Sequence, residues 1–169
     1  MTILDILNYP DPRLHKVASL VDEINSEIIS IIRDMSETMY AAPGIGLSGT
    51  QVNYHKKIII IDISEKKDDL LILINPEIVS SDGQQESQEG CLSVPGIYET
   101  VKRASEISIR ALNVDGDPIE LLADGKLSIC IQHEMDHLMG KVFVEYLSPL
   151  KKSRIKTKMI KKNKKFEAT

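Results

Sequence analysis

The sequence predicts an α+β fold: antiparallel β-sheets packed around a central helix, with an N-terminal helix and a C-terminal helix. Three observations point there. Apolar residues recur at helical spacing near the start of the chain, around residue 130 and at the end. Strand-like segments cluster between residues 56 and 123 without β-α-β alternation, which argues against a parallel sheet. An Asp-Gly turn at 115–117 joins the last two of those segments as a hairpin. The chain has 169 residues, 42% of them hydrophobic and 27% charged, so residues 1–169 read as one domain with a core of ordinary size.

Taken in order, "NYPDPRLHKVA" is rich in proline and turn residues and reads as an extended N-terminal arm. Ile28, Ile31, Ile32, Met35 and Met39 then mark one face of a helix over about 26–41, capped by Asn25 and stopped by Pro43-Gly44; its methionines are assigned to the core. The loop "GIGLSGTQ" leads into the β-rich segments "KKIIIIDI", "LLILINPEIVS", "SEISIRALN" and "PIELLA". Helix returns in "DGKLSICIQHEMDHLMG", with Gly140 as its left-handed stop. "KVFVEYL" is expected to form a short strand. A basic helix over about 148–165 follows, with Ser148 as N-cap and Pro149 in its first turn.

The longest apolar run suits one buried strand and is too short to span a bilayer. The N-terminus lacks a basic stretch followed by an apolar one, so no targeting peptide is expected and the cytoplasm is the default compartment. In that reducing setting Cys91 and Cys130 are expected as free thiols. Charge is uneven: residues 151–169 hold nine Lys or Arg and one Glu, against 12 basic and 24 acidic residues in the remainder. A basic tail on an acidic body suits either a polyanionic partner or simply a solvated, frayed helix.

The chemistry lies in "IQHEMDHLMG". In His133-Glu134-x-x-His137 two histidines one turn apart can hold one metal ion, with the glutamate as general base. The apolar flanks Ile129, Ile131, Met135 and Leu138 imply burial, and a buried Glu with two His is unfavourable unless paired or metal-bound. A catalytic site takes three protein ligands and keeps one position open. The protease pattern His-Glu-x-x-His-x-x-Gly-x-x-His requires its third histidine at residue 143, which is Phe143. Glu145 is a weak candidate, and His15 and His55 lie in polar, exposed-looking segments. Cys91 in "QEGCLSVPG" is better: Gly90 allows close backbone approach and Pro95-Gly96 fixes the exit. Cys130, three residues before His133 on the same helix, suits pocket wall or core. A thiolate with two imidazoles would donate strongly to the metal and bias which ions bind.

Three separated stretches, "GIGLSGTQ" (44–51), "EGCLSVPG" (89–96) and "QHEMDHLMG" (132–140), resemble in order and spacing the signature motifs of the peptide deformylases. "PDPRLHKVA" and "YLSPLKKSRIK" are also similar to that family, so the resemblance covers nearly the whole chain. It implies removal of the formyl group from the initiator methionine of nascent polypeptides. It also implies one divalent metal on Cys91, His133 and His137: usually Fe(II), with Zn(II), Ni(II) or Co(II) able to substitute. The first motif departs from the family's usual Gly-x-Gly-x-Ala-Ala-x-Gln: Ser48 and Gly49 replace the two alanines, and Gln51 is kept.

By that resemblance Glu134 is the general base and then acid, and the Gln51 amide with the Leu92 backbone N–H stabilises the oxyanion. Ile129 and Cys130, one turn before His133, are candidates for the methionine pocket, though core packing suits Ile129 equally. Ile45 and the Gly44/Gly46 backbone are placed to pair with an extended substrate, and Gly90 to let it approach. Glu89 and Arg103 bracket the second motif and suggest a supporting ion pair. The basic tail is expected to dock on ribosomal RNA, so that removing residues 150–169 spares activity on short peptides. A monomer with no membrane partner completes the expectation.

Overall fold

The computed structural model describes residues 2–167. Helix α1 spans Ser26–Ala41; Asn25 Oδ1 accepts a hydrogen bond from the Ile28 N–H at 3.1 Å, and Pro43 prevents continuation. Its Met35 and Met39 are fully buried, as the periodicity requires. Strands β1 (Gly46–Ser48), β2 (Ile58–Ile61), β3 (Leu71–Asp82), β6 (Glu106–Leu112) and β7 (Pro118–Asp124) form one antiparallel sheet in the order β1-β2-β3-β6-β7. Strands β4 (Gln85–Cys91) and β5 (Val94–Arg103) form a separate hairpin. Helix α2 spans Gly125–Leu138 and α3 spans Pro149–Glu167.

β2 is "IIII", four isoleucines buried on both faces, because it lies inside the sheet between β1 and β3 and is covered on both sides. One face meets α1 in a cluster with Ile28, Met35 and Leu47; the other meets α2 through Cys130, Ile131 and Leu138. The β6–β7 hairpin turns at Asp115-Gly116 as expected, with Gly116 at φ +83°.

One expectation needs correction, and one element is not signalled by the sequence. Residues 141–147 are not a strand: Phe143–Tyr146 form a 3-10 turn. Val142, Phe143 and Val144 are all buried, a continuous apolar run rather than the alternation of a half-buried strand, and a turn there lets the chain pass from α2 into α3. The β4–β5 hairpin leaves no clear strand signal, because its polar segment "QESQEGC" carries few strand-forming residues.

The N-terminal arm is largely extended apart from a 3-10 turn at Pro12–His15, and it is tied down. Leu7 N–H donates to Gln51 O and Tyr9 N–H to Ser93 O, both at 2.8 Å. α3 is not frayed. Ile155 and Met159, one turn apart, are 6% and 1% exposed and pack with Leu14, Val101 and Phe143. Lys151 pairs with Glu99 at 2.9 Å. No helix of the described residues is long and apolar enough to cross a membrane.

Candidate active site

The β4–β5 hairpin and α2 face each other across a cavity of about 750 Å³. Cys91 ends β4, where the register slips between Glu89 and Cys91 as the hairpin turns. His133 and His137 lie on the facing side of α2. The ligand atoms of Cys91, His133 and His137 lie within 4.8 Å of one another, the one such group of three among the described residues. Cys91 Sγ is 3.3 Å from His137 Nε2, and both histidines are buried.

Each ring is held for this task. His133 Nδ1 is 2.8 Å from Glu89 Oε1, which leaves Nε2 for the cluster. Phe143, the residue that broke the protease pattern, stacks on the His133 ring at 6.0 Å between centroids. Burial opposes the charged form of His133, but hydrogen bonds to Cys91 and Glu89 outweigh it and hold the pKa well above the histidine norm. Burial, reinforced by the charge on His133, pushes His137 well below it. A soft thiolate and two imidazoles, converging in a buried pocket with their outer atoms already oriented, fit a divalent transition metal.

The Glu89–Arg103 pair suggested by the sequence is present. Arg103 Nε and its terminal nitrogen donate to the two Glu89 oxygens at 2.7 and 2.9 Å. The same guanidinium donates to Asp136 at 2.7 Å, and the Tyr146 hydroxyl donates to Asp136 at 2.8 Å. Sequence reasoning missed Asp136 and Tyr146; Asp136 lies one turn beyond His133, and only the fold brings Arg103 to it.

Glu134 is buried and one of its oxygens, Oε2, has no hydrogen-bond partner. Burial pushes its pKa up to about 7. A Cβ at Gly46 would lie 2.8 Å from Glu134 Oε1, so the carboxylate occupies space that only glycine leaves. Gln51 is buried: Oε1 accepts from Ser48 N–H (3.0 Å) and Ser48 Oγ (3.2 Å), while Nε2 points to Ser93 Oγ (3.1 Å) and Cys91 Sγ (3.5 Å). Ser48 thus orients the amide, and a Cβ at Gly49 would come within 2.5 Å of Tyr54 O, so this loop is tightly packed.

Leu92, Ile45, Gly46, Gly90, Ile129 and Cys130 all line the cavity. Ile129 is therefore wall rather than pure core. Burial pushes the Cys130 thiol up to about 12, making it an inert surface. His15, His55 and Glu145 are elsewhere: His15 meets Gly140 O and Glu145, and His55 meets Arg13 O. Two further wall residues, Ser87 and Lys126, were not anticipated, since neither stands in a motif.

Residues 3–153 match the family model described as polypeptide deformylase. The chain belongs to the polypeptide deformylase family. Peptide deformylase 2 of Nitrosomonas europaea is 62% identical over 161 residues, covering 95% of this chain and 87% of that relative. A peptide deformylase crystal structure from Legionella pneumophila superposes with a TM-score of 0.93 at 43% identity, covering 99% of this chain and 98% of that one. The Ehrlichia chaffeensis peptide deformylase, solved in complex with actinonin, has a TM-score of 0.92 at 36% identity over 96% of this chain and 98% of its own. As a peptide deformylase, the chain is a metal-dependent hydrolase that removes the N-formyl group from the formylmethionine of newly made polypeptides and releases formate.

Proposed function

We infer that Cys91, His133 and His137 hold the metal, that Glu134 moves the proton, and that Gln51 and Leu92 receive the oxyanion. The observation that carries this reading is the convergence of the three ligand atoms within 4.8 Å beside a buried carboxylate with an unpartnered oxygen. When bound, the metal supplies Lewis-acid polarisation and lowers the pKa of water from about 15.7 to around 7. Family resemblance favours Fe(II), with Zn(II), Ni(II) or Co(II) as substitutes.

Glu134 takes a proton from the attacking water and delivers it to the leaving amine. The water oxygen bonds to the formyl carbon, the formyl C–N bond breaks, and formate and a free amine leave. The Gln51 Nε2–H and the Leu92 backbone N–H face the oxyanion; losing one such donor typically lowers turnover by roughly 10²–10³-fold. β1 is an edge strand, so the backbone at Ile45 and Gly46 is placed to receive an extended substrate, with Gly90 opposite. The methionyl side chain lies against Ile129 and Cys130.

The enzyme acts in the cytoplasm as a monomer, and the outward lysines of α3 meet ribosomal RNA near the emerging chain. Replacing Glu134 by Ala is expected to lower kcat by at least about 10²-fold while metal content stays at the wild-type level. Near-normal kcat in that variant would remove Glu134 from its role.

A further inference from the structure

Two groups on the cavity wall have no part in the chemistry above. α2 presents Lys126, Ile129, Cys130, His133 and Glu134 on one face, at spacings of three and four residues. The wall is graded along that face. Its metal-binding end is followed by an apolar belt, and Lys126 stands roughly 10 Å of helix rise from His133. On the opposite wall β4 supplies Ser87, Gln88 and Glu89, and Ser87 and Glu89 share the less exposed face of the strand with Gln85. Gln85 Nε2 donates to Gly125 O at 3.0 Å, and Glu89 Oε1 lies 2.8 Å from His133 Nδ1. Those contacts bracket Ser87 against the part of α2 that carries Lys126 and Ile129.

Ser87 is half-buried and Lys126 is exposed, so both stand at the solvent end of the cavity, and among the described residues neither side chain makes a hydrogen bond or an ion pair. Lys126 is the one Lys or Arg lining the cavity. It stands in the first turn of α2, which contains no acidic residue, where the helix dipole disfavours a cation. The hydroxyl and the ammonium, at the solvent end beyond an apolar belt, can each donate to an oxygen acceptor at the tip of a side chain lying along that belt.

We propose that this end of the slot binds a sulfoxide oxygen, so that the enzyme deformylates peptides beginning with N-formylmethionine sulfoxide as well as N-formylmethionine. The proposal rests on the methionyl side chain lying along Ile129 and Cys130. A thioether is only a weak acceptor, whereas oxidation makes the same side chain polar. A wholly apolar slot rejects it, because a buried S=O group without a donor is unfavourable. Here Lys126 and Ser87 supply donors. The reaction itself is unchanged: water adds to the formyl carbon, the C–N bond breaks, formate leaves, and the sulfur keeps its oxidation state.

The test compares kcat/KM for formyl-Met-Ala-Ser and its sulfoxide in wild type, Lys126→Leu, Lys126→Arg and Ser87→Ala. Binding of Met-Ala-Ser and Met(O)-Ala-Ser to the same proteins is measured by calorimetry. In the wild type the sulfoxide peptide is expected within about 10-fold of the thioether, at the low end of the loss an unsatisfied buried group would bring. Lys126→Leu and Ser87→Ala are each expected to lower the sulfoxide-to-thioether ratio about 10-fold, in KM and in product binding, with Lys126→Arg restoring most of it. Ratios that do not move would overturn the proposal. So would a Lys126 effect confined to formyl-Met-Asp-Ser, which would place the ammonium beside the second residue instead. Failure to cleave formyl-Met-Ala-Ser would count against the residue roles given above, while the product-binding ratios would still decide the slot.

Discussion

Gly46 shows how a residue without a side chain shapes the site. A Cβ at Gly46 would come within 2.8 Å of Glu134 Oε1, so a methyl group at that point crowds the carboxylate and shifts it. Gly46→Ala is expected to lower kcat by about 10–100-fold with metal content unchanged, measured by formate release and metal analysis of the same preparation. Ser48 and Gly49, the departures from the family's usual alanines, also resolve at this scale. Ser48 Oγ donates to Gln51 Oε1 and so turns the amide's N–H groups towards Cys91 and Ser93, while Gly49 fits under the carbonyls of Tyr54 and Lys56. The two histidines of the candidate metal site stood out in the sequence because they lie at fixed helical spacing, and Cys91 because glycine and serine flank it. Lys126, Ser87, Asp136 and Tyr146 did not, because their roles come from which strand faces which helix, a relation no local pattern encodes.

Among the elements, the helices and the hydrophobic strands were legible, and the polar β4–β5 hairpin was not. That hairpin carries Cys91 and Glu89, so the segment with the weakest local signal positions half the site. Its stability comes from tertiary contacts. Arg103 bonds Glu89 and Asp136, and it lies 5.1 Å from the centre of the Tyr146 ring, joining β4, β5, α2 and the 3-10 turn. Behind Ile45 of the cavity wall, Asp62 joins three segments. Its carboxylate accepts from Ser64, from the Tyr40 hydroxyl at 2.6 Å and from the Asp69 N–H, and its own N–H donates to Ile45 O. Hydrogen bonds from Ser64 and Tyr40 lower its pKa to about 2. The unfolded chain takes up this proton first, near the ordinary value of about 3.9. The stabilisation is therefore complete above about pH 4 and is lost as the pH falls towards 2. Asp62→Asn is expected to lower stability by about 1.5 kcal/mol at pH 7 and to flatten the fall in Tm between pH 4 and 2. An equally steep fall in that variant would show that other carboxylates carry the acid sensitivity.

In the whole molecule an acidic body carries a basic helix that is packed into its core. The sequence showed the charge of α3 but not its attachment, because two buried residues among so many lysines make a faint periodicity. The attachment revises what truncation does. Removing residues 150–169 strips Ile155 and Met159 from the cluster that includes Leu14 and Phe143, and Phe143 stacks on His133. Truncation is thus expected to lower Tm and metal retention together, since each large apolar side chain lost from such a site is worth about 2–5 kcal/mol. Reversing the exposed Lys158 and Lys161 to Glu is expected to leave the Tm within a few degrees while weakening salt-dependent ribosome binding. Ribosome affinity that is unchanged and insensitive to salt would reject the docking role. The proposed metal site depends on Cys91 completing the pair of α2 histidines. The most direct measurement is the metal content and formate release, on formyl-Met-Ala-Ser, of anaerobically purified wild type and Cys91→Ala. The prediction is about one divalent ion per chain in the wild type and less than about one-tenth of that in the variant, with activity falling in proportion. A variant that keeps a full equivalent of metal and its activity would contradict it.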